Sequence, residues 1–128
     1  MTVKICLLIA DDPDDHQAFS EALSDYEKTI VLIILDGKKA LELIRAKLYL
    51  PDYIFVDLSM HGIAINTFLK TLRTELGRES VSVVVYGDEG DFDKIQETGG
   101  LTFFGKDYEF SELKNFLIEL VQPSQDTG

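Results

Sequence analysis

Two aspartates, Asp11 and Asp12, follow directly on the apolar run Ile5 to Ala10, and a third, Asp57, closes the run Tyr53 to Val56. In a sheet built from such runs, function gathers at the carboxyl ends of the strands. If these two strands are neighbours, three carboxylates meet in one shallow crevice, where their mutual repulsion calls for a cation. A set of oxygen donors suits Mg²⁺, which keeps several waters and takes only one or two carboxylates directly. Taken singly, Asp11 or Asp12 is more simply a helix cap or a solvated turn, so the case for a site rests on the three together. Other uses of these acids fail on spacing. An EF-hand loop begun at Asp12 needs Gly at its sixth position and Glu at its twelfth, and has Gln17 and Leu23. A flavin-phosphate loop after the first strand would meet Asp12-Pro13-Asp14-Asp15, which repels phosphate. The chain also lacks a Gly-rich nucleotide loop and a Gly-x-Ser-x-Gly elbow.

The elements that must position these acids alternate. Val3 to Ala10, Ile30 to Leu35, Tyr53 to Asp57, Val81 to Tyr86 and Leu101 to Phe104 are short runs, most of them rich in Ile, Val or aromatics, and read as five buried strands. Between them apolar residues recur at helical spacing: Phe19, Ala22, Leu23 and Tyr26; Leu41, Ile44 and Leu48; Ile65, Phe68, Leu69, Leu72 and Leu76; Leu113, Phe116, Leu117 and Leu120. The stretch from Asp91 to Thr98 leaves room for about two turns of a fourth helix. Pro13 suits a first helical turn behind Asp12 as cap, Gly77 and Gly99 suit helix ends, Ser111 suits a cap, and Pro123 a stop. Alternating strands and helices imply a parallel sheet covered on both faces, and right-handed crossovers leave only a few doubly wound arrangements. Residues 1–121 are expected to form one domain, with 122–128 as a polar tail.

Composition agrees with one compact core and narrows the partners. The chain has 128 residues, 45% of them hydrophobic, with 12 Lys and Arg against 23 Asp and Glu. A net charge of -11 opposes binding to nucleic-acid phosphates or anionic lipid. The first apolar run is too short, and too soon broken by acids, for a signal peptide or a membrane span. The lone Cys6 reads as a small buried hydrophobe. A cytoplasmic protein, monomeric or weakly dimeric, is the expectation.

In ordered combination, Asp11-Asp12, Asp36-Gly37 followed by Ala40-Leu41, Pro51-Asp52 leading into Asp57-Leu58-Ser59-Met60, and Lys106 after Phe103-Phe104-Gly105 resemble the receiver domain of two-component response regulators, from Lys4 to about Val121. The run Asp11 to Asp15 resembles the small receivers that stand alone. The resemblance implies a five-stranded, CheY-like (flavodoxin-like) sheet of order 2-1-3-4-5. It implies Asp57 as phosphoacceptor, served by a sensor histidine kinase or phosphotransfer protein. Mg²⁺ would be held by Asp12, Asp57 and the backbone carbonyl of Ser59, with Asp11 acting through water. Lys106 would pair with phosphoryl oxygens. Metal and ammonium would then neutralise charge spreading over the transferred group.

Beyond the acceptor the chain departs from the family pattern. The fourth strand of a receiver usually ends in Thr or Ser, whose hydroxyl binds the phosphoryl group. Val83-Val84-Val85-Tyr86 is instead followed by Gly87, so that hydroxyl is expected to be missing, and Gly87→Thr is expected to lengthen the life of the phosphorylated protein. Asp88 then stands where a small residue normally admits phosphate. Tyr86 could supply a hydroxyl, although a strand-end tyrosine more often packs or meets solvent. Phe103, the aromatic of the usual switch, is expected as core. His61, Ala64 and Ile65 replace the usual Pro, Asp and Gly. His61 is expected as a solvated loop residue, with dephosphorylation or pH sensing as its sharper reading. Asp107 replaces the Pro that commonly follows the lysine, which removes the ground for a cis peptide there.

Two functions compete on these residues. One is a phosphorylatable receiver that signals to an unknown downstream protein by contact. The other is a pseudo-receiver that binds proteins regardless of phosphorylation. An enzyme is not expected, since a phosphatase of the haloacid-dehalogenase type wants an acid two residues after Asp57, where Ser59 stands.

Overall fold

The computed structural model describes residues 3–26, 29–47, 50–59, 64–77, 79–96, 99–105 and 109–121. Five strands, β1 (Lys4–Ile9), β2 (Ile30–Leu35), β3 (Tyr53–Asp57), β4 (Ser82–Gly87) and β5 (Leu101–Gly105), alternate with five helices. The helices are α1 (Pro13–Ala22), α2 (Gly37–Ala46), α3 (Ile65–Leu76), α4 (Glu89–Asp93) and α5 (Phe110–Val121). All strand pairs are parallel, in the order β2-β1-β3-β4-β5. This is the doubly wound sheet that the alternation predicts.

Strand alternation sends successive side chains to opposite faces, and the two faces carry separate cores. On one, Leu7, Ile9, Ile54, Val56, Leu58, Val83 and Val85 meet Ala40 and Ile44 of α2 and Phe68, Leu69, Leu72 and Leu76 of α3. On the other, Cys6, Leu8, Phe55, Val84 and Tyr86 meet Phe19 and Ala22 of α1 and Leu113 and Leu117 of α5. Asp57, two residues after Phe55, therefore belongs to the α1/α5 face. Asp52 helps set the strand register from the opposite end of the sheet. Its carboxylate accepts from Ile5 N at 2.8 Å, its N–H donates to Ile5 O at 2.8 Å, and its carbonyl accepts from Ser82 N at 3.1 Å. One acidic residue thus laces β1, β3 and β4 together, and a slip of β3 would break all three bonds.

The helix ends follow local chemistry. Asp12 caps α1 by accepting from Asp14 N at 2.9 Å, with Pro13 in the first turn. Asp36 caps α2 through Lys39 N at 2.8 Å. Gly77 ends α3 with φ 58°, a backbone region that favours glycine. Three boundaries differ from expectation. α1 stops at Ala22 and Tyr26 falls in a 3₁₀ turn, Ser24–Tyr26. Ser111 lies inside the first turn of α5, whose Glu112 and Leu113 N–H groups donate to Glu109 O. α4 starts earlier than expected and ends at Asp93, well short of Gly99. The segment after α4 is instead pinned by Asn66 of α3, whose amide donates to Lys94 O at 3.0 Å and accepts from Gln96 N at 2.9 Å. A side chain that satisfies these two backbone groups removes part of the incentive for a further helical turn. Leu48, Thr98 and the tail 122–128 lie outside the described residues.

Candidate functional site

The strand register brings the sequence-predicted acids to one end of the sheet. β1 and β3 are hydrogen-bonded neighbours with Ile9 opposite Val56. Asp57 lies one residue past that pair on β3, and Asp11 and Asp12 lie two and three residues past it on β1. Asp57 is 2% exposed, although it ends a strand. Its Oδ1 accepts two hydrogen bonds from Ser59, from the backbone N–H at 2.9 Å and from the hydroxyl at 2.7 Å. A buried carboxylate is tolerated where donors meet it, and the tight turn Leu58-Ser59 supplies them. The sequence reading gave Ser59 a role through its carbonyl alone, and the hydroxyl contact is a further one. Asp12 is half-buried, with Oδ1 engaged in the cap, while Asp11 is exposed.

Among the described residues no group of three or more His, Cys, Asp or Glu side chains is arranged to hold a metal ion. A hard cation that retains waters needs fewer protein ligands than that. Two carboxylates from adjacent strand ends and the Ser59 carbonyl fit that smaller requirement by type and by placement in the register. Next to them, His16 Nε2 donates to Ala10 O at 2.6 Å and holds the turn leading out of β1. A carbonyl oxygen can only accept, so Nε2 is the donor in this bond.

On β4, Asp57 is opposite Tyr86. Tyr86 therefore shares the face of Asp57, while a side chain at position 87 would point to the other face. Gly87 confirms this geometry, because a Cβ built there would lie 3.1 Å from Leu58 Cβ, in the α2/α3 core. The backbone at Gly87, with φ 157°, also disfavours a side chain. A Thr at 87 would therefore meet Leu58 at close range in a backbone conformation that side chains rarely adopt. The residue facing Asp57 across β4 carries a hydroxyl after all. Asp88 is exposed at the start of α4 and makes no side-chain cap bond.

Tyr86 neither meets solvent nor merely packs. It is 1% exposed, its ring centroid is 5.4 Å from that of Phe19, and its hydroxyl donates to Asp15 Oδ2 at 3.1 Å. Asp15 is itself 5% exposed. In the sequence Asp15 counts only as one of the acids of the run Asp11 to Asp15, yet its spacing to Phe19 and Ala22 is i, i+4, i+7, which places it on the buried stripe of α1. A charged residue on an apolar stripe is the signal that would have found it. Phe103 behaves as expected for core, since it faces α4 with its ring centroid 4.5 Å from that of Phe92, opposite Val85 on β4. Lys106, Asp107 and His61 lie outside the described residues.

No family model and no curated protein matches the chain. Solved structures do. The receiver domain of the sensor histidine kinase PA1611 from Pseudomonas aeruginosa PAO1, with a magnesium ion coordinated in its active-site cleft, matches with a TM-score of 0.72 at 16% identity, over 92% of this chain and 97% of that one. The chemotaxis response regulator CheY4 of Vibrio cholerae matches with a TM-score of 0.72 at 21% identity, over 94% and 100%. A response regulator receiver domain protein from Bacillus halodurans matches with a TM-score of 0.70 at 17% identity, over 97% and 100%. The chain is a single receiver-like domain, and its strand order is that of the CheY-like fold. None of the described helices is long and apolar enough to cross a membrane.

Proposed function

We propose that the chain is a phosphoryl-accepting receiver of two-component signalling. The buried Asp57 carboxylate at the carboxyl end of β3 carries this reading, because a carboxylate held by neighbouring donors beside the Asp11-Asp12 turn is an acceptor aimed into the crevice where this fold works. An oxygen of Asp57 attacks the phosphorus of a phosphohistidine, the P–N bond breaks, and the imidazole leaves with the electron pair. The donor is a sensor histidine kinase or a phosphotransfer protein. Asp12, Asp57 and the Ser59 carbonyl hold Mg²⁺, with Asp11 acting through water, and Lys106 pairs with phosphoryl oxygens. When bound, the metal supplies positive charge against the oxygens of the transferred group. Ser59 keeps Asp57 Oδ1 occupied by two donors and so orients the carboxylate plane. The output is a contact with a downstream protein.

A phosphorylation-independent binding module is the second reading, and the closed β4 end favours it. Gly87 stands where the usual receiver carries a small mobile hydroxyl, and Tyr86 before it is packed and hydrogen-bonded. Intact-mass analysis after incubation with Mg²⁺ and acetyl phosphate separates the two. The expected result is a single phosphoryl adduct on the native chain and none on Asp57→Asn. No adduct on the native chain at saturating phosphodonor would overturn the first reading in favour of the second.

A further inference from the structure

The hydroxyl opposite the acceptor is tied to a helix that the family's usual switch does not involve. A tyrosine hydroxyl has one proton to donate, and Tyr86 directs it to Asp15 Oδ2 in the first turns of α1, with both residues more than nine-tenths buried. One turn further along α1, Phe19 packs on the Tyr86 ring and, at 5.3 Å between centroids, on Phe55 of β3. On the other side, Tyr86 O accepts from Leu58 N at 2.9 Å, which binds β4 to the residue following Asp57. The β4 end is thus joined by hydrogen bonds both to the acceptor turn and to α1. Such buried bonds are strong in a low-dielectric interior and costly to break. Phe103, the aromatic on β5 that would serve the usual switch, faces the opposite side of the sheet.

We infer that Tyr86, anchored by Asp15, is the positioning residue that transmits occupancy of the Asp57 pocket to helix α1. The inference rests on the pocket reading proposed above. A switch that works by swinging a hydroxyl inward needs a side chain free to change rotamer. Tyr86 is held by its ring and by its hydroxyl, so a group entering beside Asp57 displaces the β4 end and α1 as one packed unit.

The test follows backbone amides of the full chain with Mg²⁺ and beryllium fluoride, a phosphoryl mimic, at saturation, so that changes in affinity do not enter. Shifts of the Asp57 and Ser59 amides report the pocket, and hydrogen exchange at Phe19 to Ala22, at least seven residues beyond Asp12, reports α1. In the native chain the pocket shifts and α1 exchange changes by about threefold or more. Tyr86→Phe keeps the ring and removes the bond, and is expected to keep the pocket shifts and lose the α1 response. Asp15→Asn keeps a carbonyl acceptor for the tyrosine and is expected to retain the response, while Asp15→Ala is expected to lose it. An α1 response in Tyr86→Phe equal to the native one overturns the inference, as does a native chain whose pocket shifts without any α1 response. A native chain in which the Asp57 and Ser59 amides do not shift overturns the pocket reading itself, and the inference with it.

Discussion

The ends of β3 and β4 lie side by side in one sheet and solve opposite problems. At the end of β3 a carboxylate is buried but served, because Ser59 turns back and gives Asp57 Oδ1 two donors. Two of the hydrogen bonds that hold it come from a residue two positions away. At the end of β4 a tyrosine is buried with its hydroxyl committed to Asp15, distant in sequence, and the glycine after it is closed in by Leu58. That environment is long-range, an apolar packing with one buried carboxylate in it. The difference teaches that neighbouring strand ends can be fixed by separate physical means. The Asp57 carboxylate is oriented in part by a turn of its own chain, whereas the β4 end is set by packing against α1 and Leu58.

Substitutions at the two ends should therefore differ in kind. Gly87→Thr brings a Cβ to 3.1 Å from Leu58 Cβ in a backbone conformation that side chains rarely adopt, and is expected to cost about 2–4 kcal/mol of stability from overpacking and strain combined. Urea unfolding measures it. The tight contact is with Leu58 Cβ, so Leu58→Gly, not Leu58→Ala, should recover part of the steric component, a coupling that a double-mutant cycle isolates. A Gly87→Thr protein of native stability would erase the contrast between the two ends.

Cys6, on the face of the sheet that carries Tyr86, gives an independent gauge of the same effect. Burial pushes its thiol up to about 12, with Asp52 adding to the rise and Lys4 opposing it. The folded thiol thus stays protonated, and thiol reagents at mildly alkaline pH should reach it only through opening of the core. Labelling should accelerate in Gly87→Thr by about tenfold for each ~1.4 kcal/mol lost. Above the ordinary thiol value of 9.0, the unfolded chain releases a proton that the folded chain retains up to about 12. The Cys6 contribution to stability is therefore at its full value below pH 9.0 and falls as pH rises from there. Cys6→Ala should flatten that alkaline slope in urea titrations, and an unchanged slope would assign it elsewhere.

The smallest effect belongs to the β3 end. Ser59→Ala removes one of the two donors to Asp57 Oδ1 from an exposed position, and is expected to lower stability by about 0.5–1.5 kcal/mol at most. A thermal melt measures the change. A loss as large as that of Gly87→Thr would show that the acceptor turn also depends on long-range packing.

Much of this architecture is legible in the chain because its causes are local or periodic. Alternation of β-branched runs with one-faced helices specifies a covered parallel sheet, and Asp12-Pro13, Asp36 and Gly77 mark helix ends through bonds and backbone angles within a few residues. Asp57 and Ser59 are legible for the same reason, since two residues separate them. Ser111 and the far end of α4 were misplaced because the competing partners, the Glu109 carbonyl and the Asn66 side chain, act by geometry rather than by residue type.

Which residue faces Asp57 across the sheet is another matter. Tyr86 and Gly87 are adjacent, and counting along the chain cannot say which of them pairs with Asp57. That choice depends on the register of β3 against β4, which Asp52 helps to set from the other end of the sheet. A change of one position sends a side chain to the opposite face. The Tyr86–Asp15 bond joins residues 71 positions apart. Only the packing of α1 onto the sheet brings that hydroxyl and that carboxylate within reach of each other.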